Sequence, residues 1–122
     1  DRAVAALGER PVLVYATAAA EAVATAQRVL GVDRAASLVE DAFRRIAGAL
    51  AEASVRVFVV AGGETSGAVV DTLGVRALAI GPEIDPGVPW TCAVGGEPFF
   101  LALKSGNFGG PDFFAKATAA LR

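Results

Sequence analysis

The chain has 122 residues and a formal net charge of -2, with 54% hydrophobic residues, 20% charged residues and no histidine. That length fits one domain, the charge gives no basic footprint for nucleic acid, and no apolar run approaches the ~20 residues that a bilayer helix needs. Without histidine there is no imidazole base, no Ser-His-Asp triad and none of the commonest zinc ligand sets.

Residues 11–15 (PVLVY) form a short apolar run that predicts a buried strand. Thr17 is placed to cap the helix that follows, on which Val23, Ala26, Val29 and Leu30 recur at helical spacing until Gly31. Asp33 is the expected N-cap of a second helix, with Leu38, Val39, Ala42, Phe43, Ile46 and Leu50 as its apolar stripe. Residues 55–60 (VRVFVV) are β-branched and almost wholly apolar, as expected of a central strand. They run into Gly62, Gly63, Glu64, Thr65, Ser66 and Gly67, and a short helix from Ala68 ends at Gly74. Residues 76–80 predict a further strand, and EIDPGVP (83–89) predicts a loop. Residues 90–94 and 99–104 read as two strands joined by a hairpin turn at residues 95–98 (GGEP). The loop 105–110 follows, Pro111 takes a first helical position, and a last helix carries Phe113, Phe114, Ala117 and Leu121.

Strands alternating with helices define an α/β class: a three-layer α/β/α sandwich. The hairpin makes its sheet mixed, and the alternation makes it mostly parallel. The single Cys92 cannot form an internal disulfide and sits in an apolar run, which predicts a buried structural thiol. One cysteine and no signal peptide fit a cytoplasmic protein. The absence of methionine predicts that residues 1–122 are one domain cut from a longer protein.

Two segments carry candidate chemistry. The first is Gly62, Gly63, Glu64, Thr65 and Ser66, at the carboxyl end of the best strand and the start of a helix, where open α/β sheets place ligands. A helix N-terminus offers unpaired N–H groups and partial positive charge, and paired glycines let a phosphate approach the backbone. No lysine follows the last glycine, so this is not a Walker A loop. A tight turn with an ordinary cap is the competing reading. Glu64 is open between a contact to a ribose or to Mg2+ through water and a first-turn acid that favours the helix dipole. The second segment is Lys104, Ser105, Gly106 and Asn107, continuing through Phe108 to Gly110. Lys104 can neutralise phosphate as a point charge, and Asn107 can take a positive φ or read a base or ribose edge. If the two preceding strands are neighbours, both loops open on one sheet edge with the EIDPGVP loop as a wall. Glu83 and Asp85 are expected to be solvated rather than metal-binding, and no metal ligand set is assigned.

The strings VAGGETSGAVVDTLGV and LALKSGNFGGPDFF resemble the four-carbon acid sugar kinase family, formerly a domain of unknown function, which includes 3-oxo-tetronate, threonate and erythronate kinases. The resemblance covers the chain from PVLVY to the last helix. It implies a C-terminal nucleotide-binding domain, with the sugar acid bound by an N-terminal domain not contained in these residues. It implies ATP contacts from Gly62, Gly63, Glu64, Thr65 and Gly106, with Ser66, Lys104, Ser105 and Asn107 as neighbours, and Mg2+ as the accompanying ion. The catalytic residues would lie on the other domain, so this chain alone is expected to be inactive. The serine-rich turn of many members is here alanine at 16 and 18–20, with Thr17 the one hydroxyl. A non-catalytic nucleotide or phosphosugar module is the alternative function. Exposed apolar surface is expected where the other domain packs, and a homodimer is a further expectation.

Overall fold

A computed structural model describes residues 2–121. The elements in chain order are α1 (Arg2–Ala5), α2 (Ala20–Leu30), α3 (Val32–Glu52), β1 (Val57–Ala61), α4 (Gly63–Thr72), β2 (Leu78–Asp85), β3 (Val88–Ala93), β4 (Phe100–Lys104) and α5 (Phe113–Ala119). The strands form one sheet in the order β1-β4-β3-β2. β1 runs parallel to β4, whereas β4 with β3 and β3 with β2 are antiparallel. The sheet is therefore mixed as expected, but one pairing of three is parallel, not most.

Alternation along the strands divides the core into two layers. Phe58, Val60 and Leu101 face Ala47 of α3 and Val69 of α4, with Phe99 beside them. Val88, Trp90 and Ala102 face Phe113 and Ala117 of α5 on the opposite side. This is the α/β/α sandwich. β4 is its centre, with Leu101 and Ala102 both at 0% exposure. The hydroxyl of Thr91 faces the first layer and is satisfied by donating to the Leu101 carbonyl oxygen at 2.7 Å.

Several local expectations are corrected. Residues 11–15 form no strand: Leu13 is 67% and Tyr15 71% exposed, and the segment has no ladder partner among the described residues. An apolar run becomes a strand only by pairing, and here β1 keeps an open edge instead. Ala19, not Thr17, precedes α2, without a side-chain cap. Gly31, not Asp33, is the N-cap of α3, and Asp33 falls in the first turn, where its charge suits the helix dipole. EIDPGVP is not a loop but the tip of the β2–β3 hairpin. Its prolines are tolerated because Pro86 lies in the turn between the strands, and Pro89 of β3 stands opposite the register shifts at Glu83 and outside the Trp90–Cys92 ladder with β4. The last helix begins at Phe113 behind Asp112, not at Pro111. Cys92 is half-buried rather than fully buried.

Candidate functional site

Three segments meet at the carboxyl edge of the β1–β4 pair. Ala61 lies opposite Lys104 in the parallel register, so the strands deliver their following loops to the same place. The two loops are tied together where they start, the Gly62 amide donating to the Lys104 carbonyl oxygen at 2.7 Å. β3 runs antiparallel to β4, which brings the β2–β3 tip to this edge as well.

The first loop proves to be the opening turn of a helix. α4 begins at Gly63, not at Ala68, so residues 63–67 present helical N–H groups rather than an irregular turn. The Ser66 amide already donates to the Gly62 carbonyl oxygen at 2.9 Å. In the described structure the amides of Gly63, Glu64 and Thr65 have no acceptor, as the first amides of a helix do. A Cβ placed on Gly63 would meet nothing within 4 Å, so the approach to these amides is open. Thr65 leans back over Gly62, its Oγ1 3.4 Å from where a Cβ there would sit. Glu64 is exposed. The Ser66 hydroxyl is buried with no partner among the described residues.

The second loop is folded on itself. Lys104 Nζ donates to the Gly106 carbonyl oxygen at 2.7 Å and to that of Ser105 at 3.3 Å. The Phe108 amide closes a turn on the Ser105 carbonyl oxygen at 3.1 Å. Ser105, Gly106 and Asn107 are exposed. Gly106, like Gly63, has open space where a Cβ would be. Asn107 keeps a negative φ, so it does not play the left-handed role considered for it.

Asp85 is the residue that sequence reasoning misjudged. It is buried at 8% exposure rather than solvated. Its Oδ1 accepts from Lys116 Nζ at 2.7 Å and its Oδ2 from the Gly110 amide at 3.0 Å. The Lys116 hydrogen bond, then the Gly110 amide, hold its carboxyl below the ordinary value of 3.8. The hydrogen bonds to Asp85 and then Asp112 raise the Lys116 ammonium above its ordinary 10.5. No local signal could have found this, because Asp85 and Lys116 are 31 residues apart in sequence. Glu83 remains exposed and accepts from the Gly87 amide at 2.7 Å, closing the hairpin turn.

The edge is an open shelf. Two surface concavities lie elsewhere, one on α2 between Glu21 and Leu30 and one on α5 around Phe114 and Thr118. Among the described residues, no group of three or more His, Cys, Asp or Glu is placed to hold a metal ion. No helix among them is long and apolar enough to cross a membrane.

Residues 1–114 match the model of the family described as the nucleotide-binding C-terminal domain. The chain belongs to that family. A 3-oxo-tetronate kinase of Pseudomonas fluorescens is 62% identical over 110 residues, covering 90% of this chain and 26% of that protein. A solved chain from Salmonella typhimurium LT2, described as a putative tRNA synthase, superposes with TM-score 0.88 at 43% identity, over 97% of this chain and 28% of that one. A solved Haemophilus influenzae protein of family DUF1537 superposes with TM-score 0.80 at 45% identity, over 87% of this chain and 26% of that one. The chain thus spans about a quarter of the length of the curated relatives it matches.

Proposed function

We propose that this chain is the ATP-binding part of the C-terminal domain of a cytoplasmic two-domain kinase that phosphorylates a four-carbon sugar acid. The observation that carries this reading is the hydrogen bond from Gly62 to Lys104, which joins two glycine-rich loops at one sheet edge. The family's description as nucleotide-binding and the relatives named 3-oxo-tetronate kinase support ATP and an acid of 3-oxo-tetronate type. Threonate and erythronate are the neighbouring candidates.

The residues fit a nucleotide. Open space at Gly63 and Gly106 allows a phosphate close to the backbone. The free amides of Gly63, Glu64 and Thr65 would receive it at the positive end of α4. Lys104 would exchange its carbonyl partners in Ser105 and Gly106 for phosphate oxygens, and Asn107 would face the base or ribose. Mg2+ would be held mostly by the phosphates themselves, as is usual for this ion, with Glu64 the acid nearest to hand. ATP supplies the phosphoryl group, and such transfer rests on positioning and charge neutralisation. These loops would provide both on the nucleotide side.

The other domain would carry the sugar-acid site and the catalytic base. Exposed apolar residues such as Val29 at 77% and Leu13 at 67% would be covered by that domain or by a second copy in a homodimer. Titration of Mg2+-ATP into the isotopically labelled chain should shift the amides of residues 62–67 and 104–110 and few others. No shifts at millimolar nucleotide would refute the site. ATP turnover by the intact protein that depends on a four-carbon acid separates a kinase from a non-catalytic binding module.

A further inference from the structure

Loops rich in glycine are costly to order, because each residue surrenders wide backbone freedom. Residues 105–110 contain three glycines, yet they take one defined path. Two of the contacts that fix this path come from the β2–β3 hairpin tip. The Gly110 amide at the far end of the loop is bound by Asp85 Oδ2 at 3.0 Å. Phe108, at the middle of the loop, lies against the hairpin turn. A Cβ on Gly87 would sit 2.8 Å from both Cδ1 and Cε1 of that ring, and Gly87 has φ of +80°. Only glycine both makes this turn and leaves room for the ring.

The hairpin side of the contact is itself braced. Asp85 Oδ1 is held by Lys116 Nζ at 2.7 Å, and the same ammonium reaches Asp112 Oδ1 at 3.1 Å. Asp112 immediately precedes α5, and Lys116 is on it. One buried carboxylate therefore links the strand end, the loop end and the helix that follows the loop. Lys104, at the start of the loop, has no such link to the hairpin: its ammonium bonds are to Ser105 and Gly106. The loop is tied to the hairpin at its far end and middle, whereas the Lys104 ammonium is held only by carbonyl groups of the loop itself and can turn to a phosphate.

We propose that Asp85, braced by Lys116, is a positioning residue that holds the Lys104-to-Gly110 loop in the conformation that binds nucleotide. This rests on the nucleotide reading of the site. Asp85 touches no ligand in this scheme. It acts by keeping the binding-competent loop the populated one, so that binding does not have to order it.

The test uses the intact protein that contains this chain, with Asp85→Asn, Lys116→Met and Lys116→Arg. If either disruptive variant lowers the competent fraction to about a tenth, the apparent KM for ATP rises about tenfold. The KM for the sugar acid and kcat should stay near wild type, and Lys116→Arg should restore the ATP KM, because it keeps a cation for Asp85. Amide exchange, read without nucleotide, should quicken at residues 105–110 and stay unchanged at 62–67. Unchanged ATP KM in both disruptive variants overturns the proposal, whether or not exchange quickens. So does a loss spread equally over both KM values and kcat, which is what a merely structural role would produce. Should Asp85→Asn fail to fold, Lys116→Met decides, since Lys116 is 44% exposed and its removal leaves no large void. Failure of the wild type to bind ATP would instead overturn the nucleotide reading. That result is distinct, because the exchange rates report loop order with no ligand present.

Discussion

Replacing Gly63 by alanine separates a ligand cradle from a tight turn. Gly63 is the first residue of α4, it is not in the left-handed region, and a Cβ there meets nothing within 4 Å. The folded chain should accept the methyl group without strain. Alanine is favoured over glycine in a helix interior by about 1 kcal/mol at most, and the first helical position should realise only part of that. Stability in urea should stay equal or rise slightly. Nucleotide binding should move the other way if a phosphate uses the open space beside Gly63 that the methyl group would fill. Losing one hydrogen bond to a charged phosphate costs about 1.5–3 kcal/mol, which is roughly a 10- to 100-fold weaker Kd. Calorimetric titration of the intact protein with Mg2+-ATP reads the second quantity, and urea unfolding reads the first. An alanine variant that binds ATP as wild type does would refute the phosphate approach at Gly63. A variant that unfolds would show that the glycine serves the turn.

The remaining predictions concern the second loop and its brace. Gly109→Ala should destabilise the chain by about 1–2 kcal/mol from backbone alone, since φ is +79°. Crowding adds to this, because the new Cβ lies 3.0 Å from Cδ2 of Phe113, a buried ring that cannot swing away. A urea midpoint equal to wild type would contradict it. Asp85 has a folded pKa below 3.8, so its contribution is complete above that pH and is lost as pH falls through the folded value. Lys116 has a folded pKa above 10.5, so its share is complete below that pH and is lost as pH rises through the folded value. The stability gap between wild type and Asp85→Asn should therefore be widest between these limits and narrow outside both. Parallel urea stability curves across the whole pH range would show that the pair is not coupled to folding.

What was legible in the sequence follows the range over which each signal acts. β1 and β4 announce themselves by composition, and the turn at residues 95–98 by its paired glycines, so the parallel pair and the second hairpin were readable, although β1 lies at a sheet edge and not at the centre expected for it. Both loops were readable too, since each joins a strand to a helix within a few residues. The β2–β3 hairpin was hidden by its prolines, which argue against a strand unless they fall in a turn, on an edge or at a register shift. Pro86 takes the turn and Pro89 faces the register shifts at Glu83, which are properties of the pairing and not of residues 83–89 alone. Residues 11–15 failed in the opposite sense: their composition fits a strand, but pairing decides, and β1 leaves that edge open. The burial of Asp85 depends on Lys116 and Gly110, both more than 20 residues away. A lone acid beside a proline and a glycine looks solvated until the chain is folded.

The topology explains why so much of the site hangs on one strand. β4 is the only strand that pairs with both β1 and β3. Its parallel partner brings the α4 N-terminus to the edge, and its antiparallel partner brings the hairpin tip. Lys104, its last residue, begins the second loop itself. Leu101 and Ala102 anchor that strand in both core layers at 0% exposure, so the edge inherits the rigidity of the core a few residues away. An all-parallel sheet would place the start of a neighbouring strand at the opposite end and could not bring a hairpin tip such as 85–88 beside the loops. The antiparallel insertion of β2 and β3 is thus what gives Asp85 its access to Gly110. On this argument the mixed sheet is the feature that lets a glycine-rich loop be both open at Lys104 and fixed at its far end.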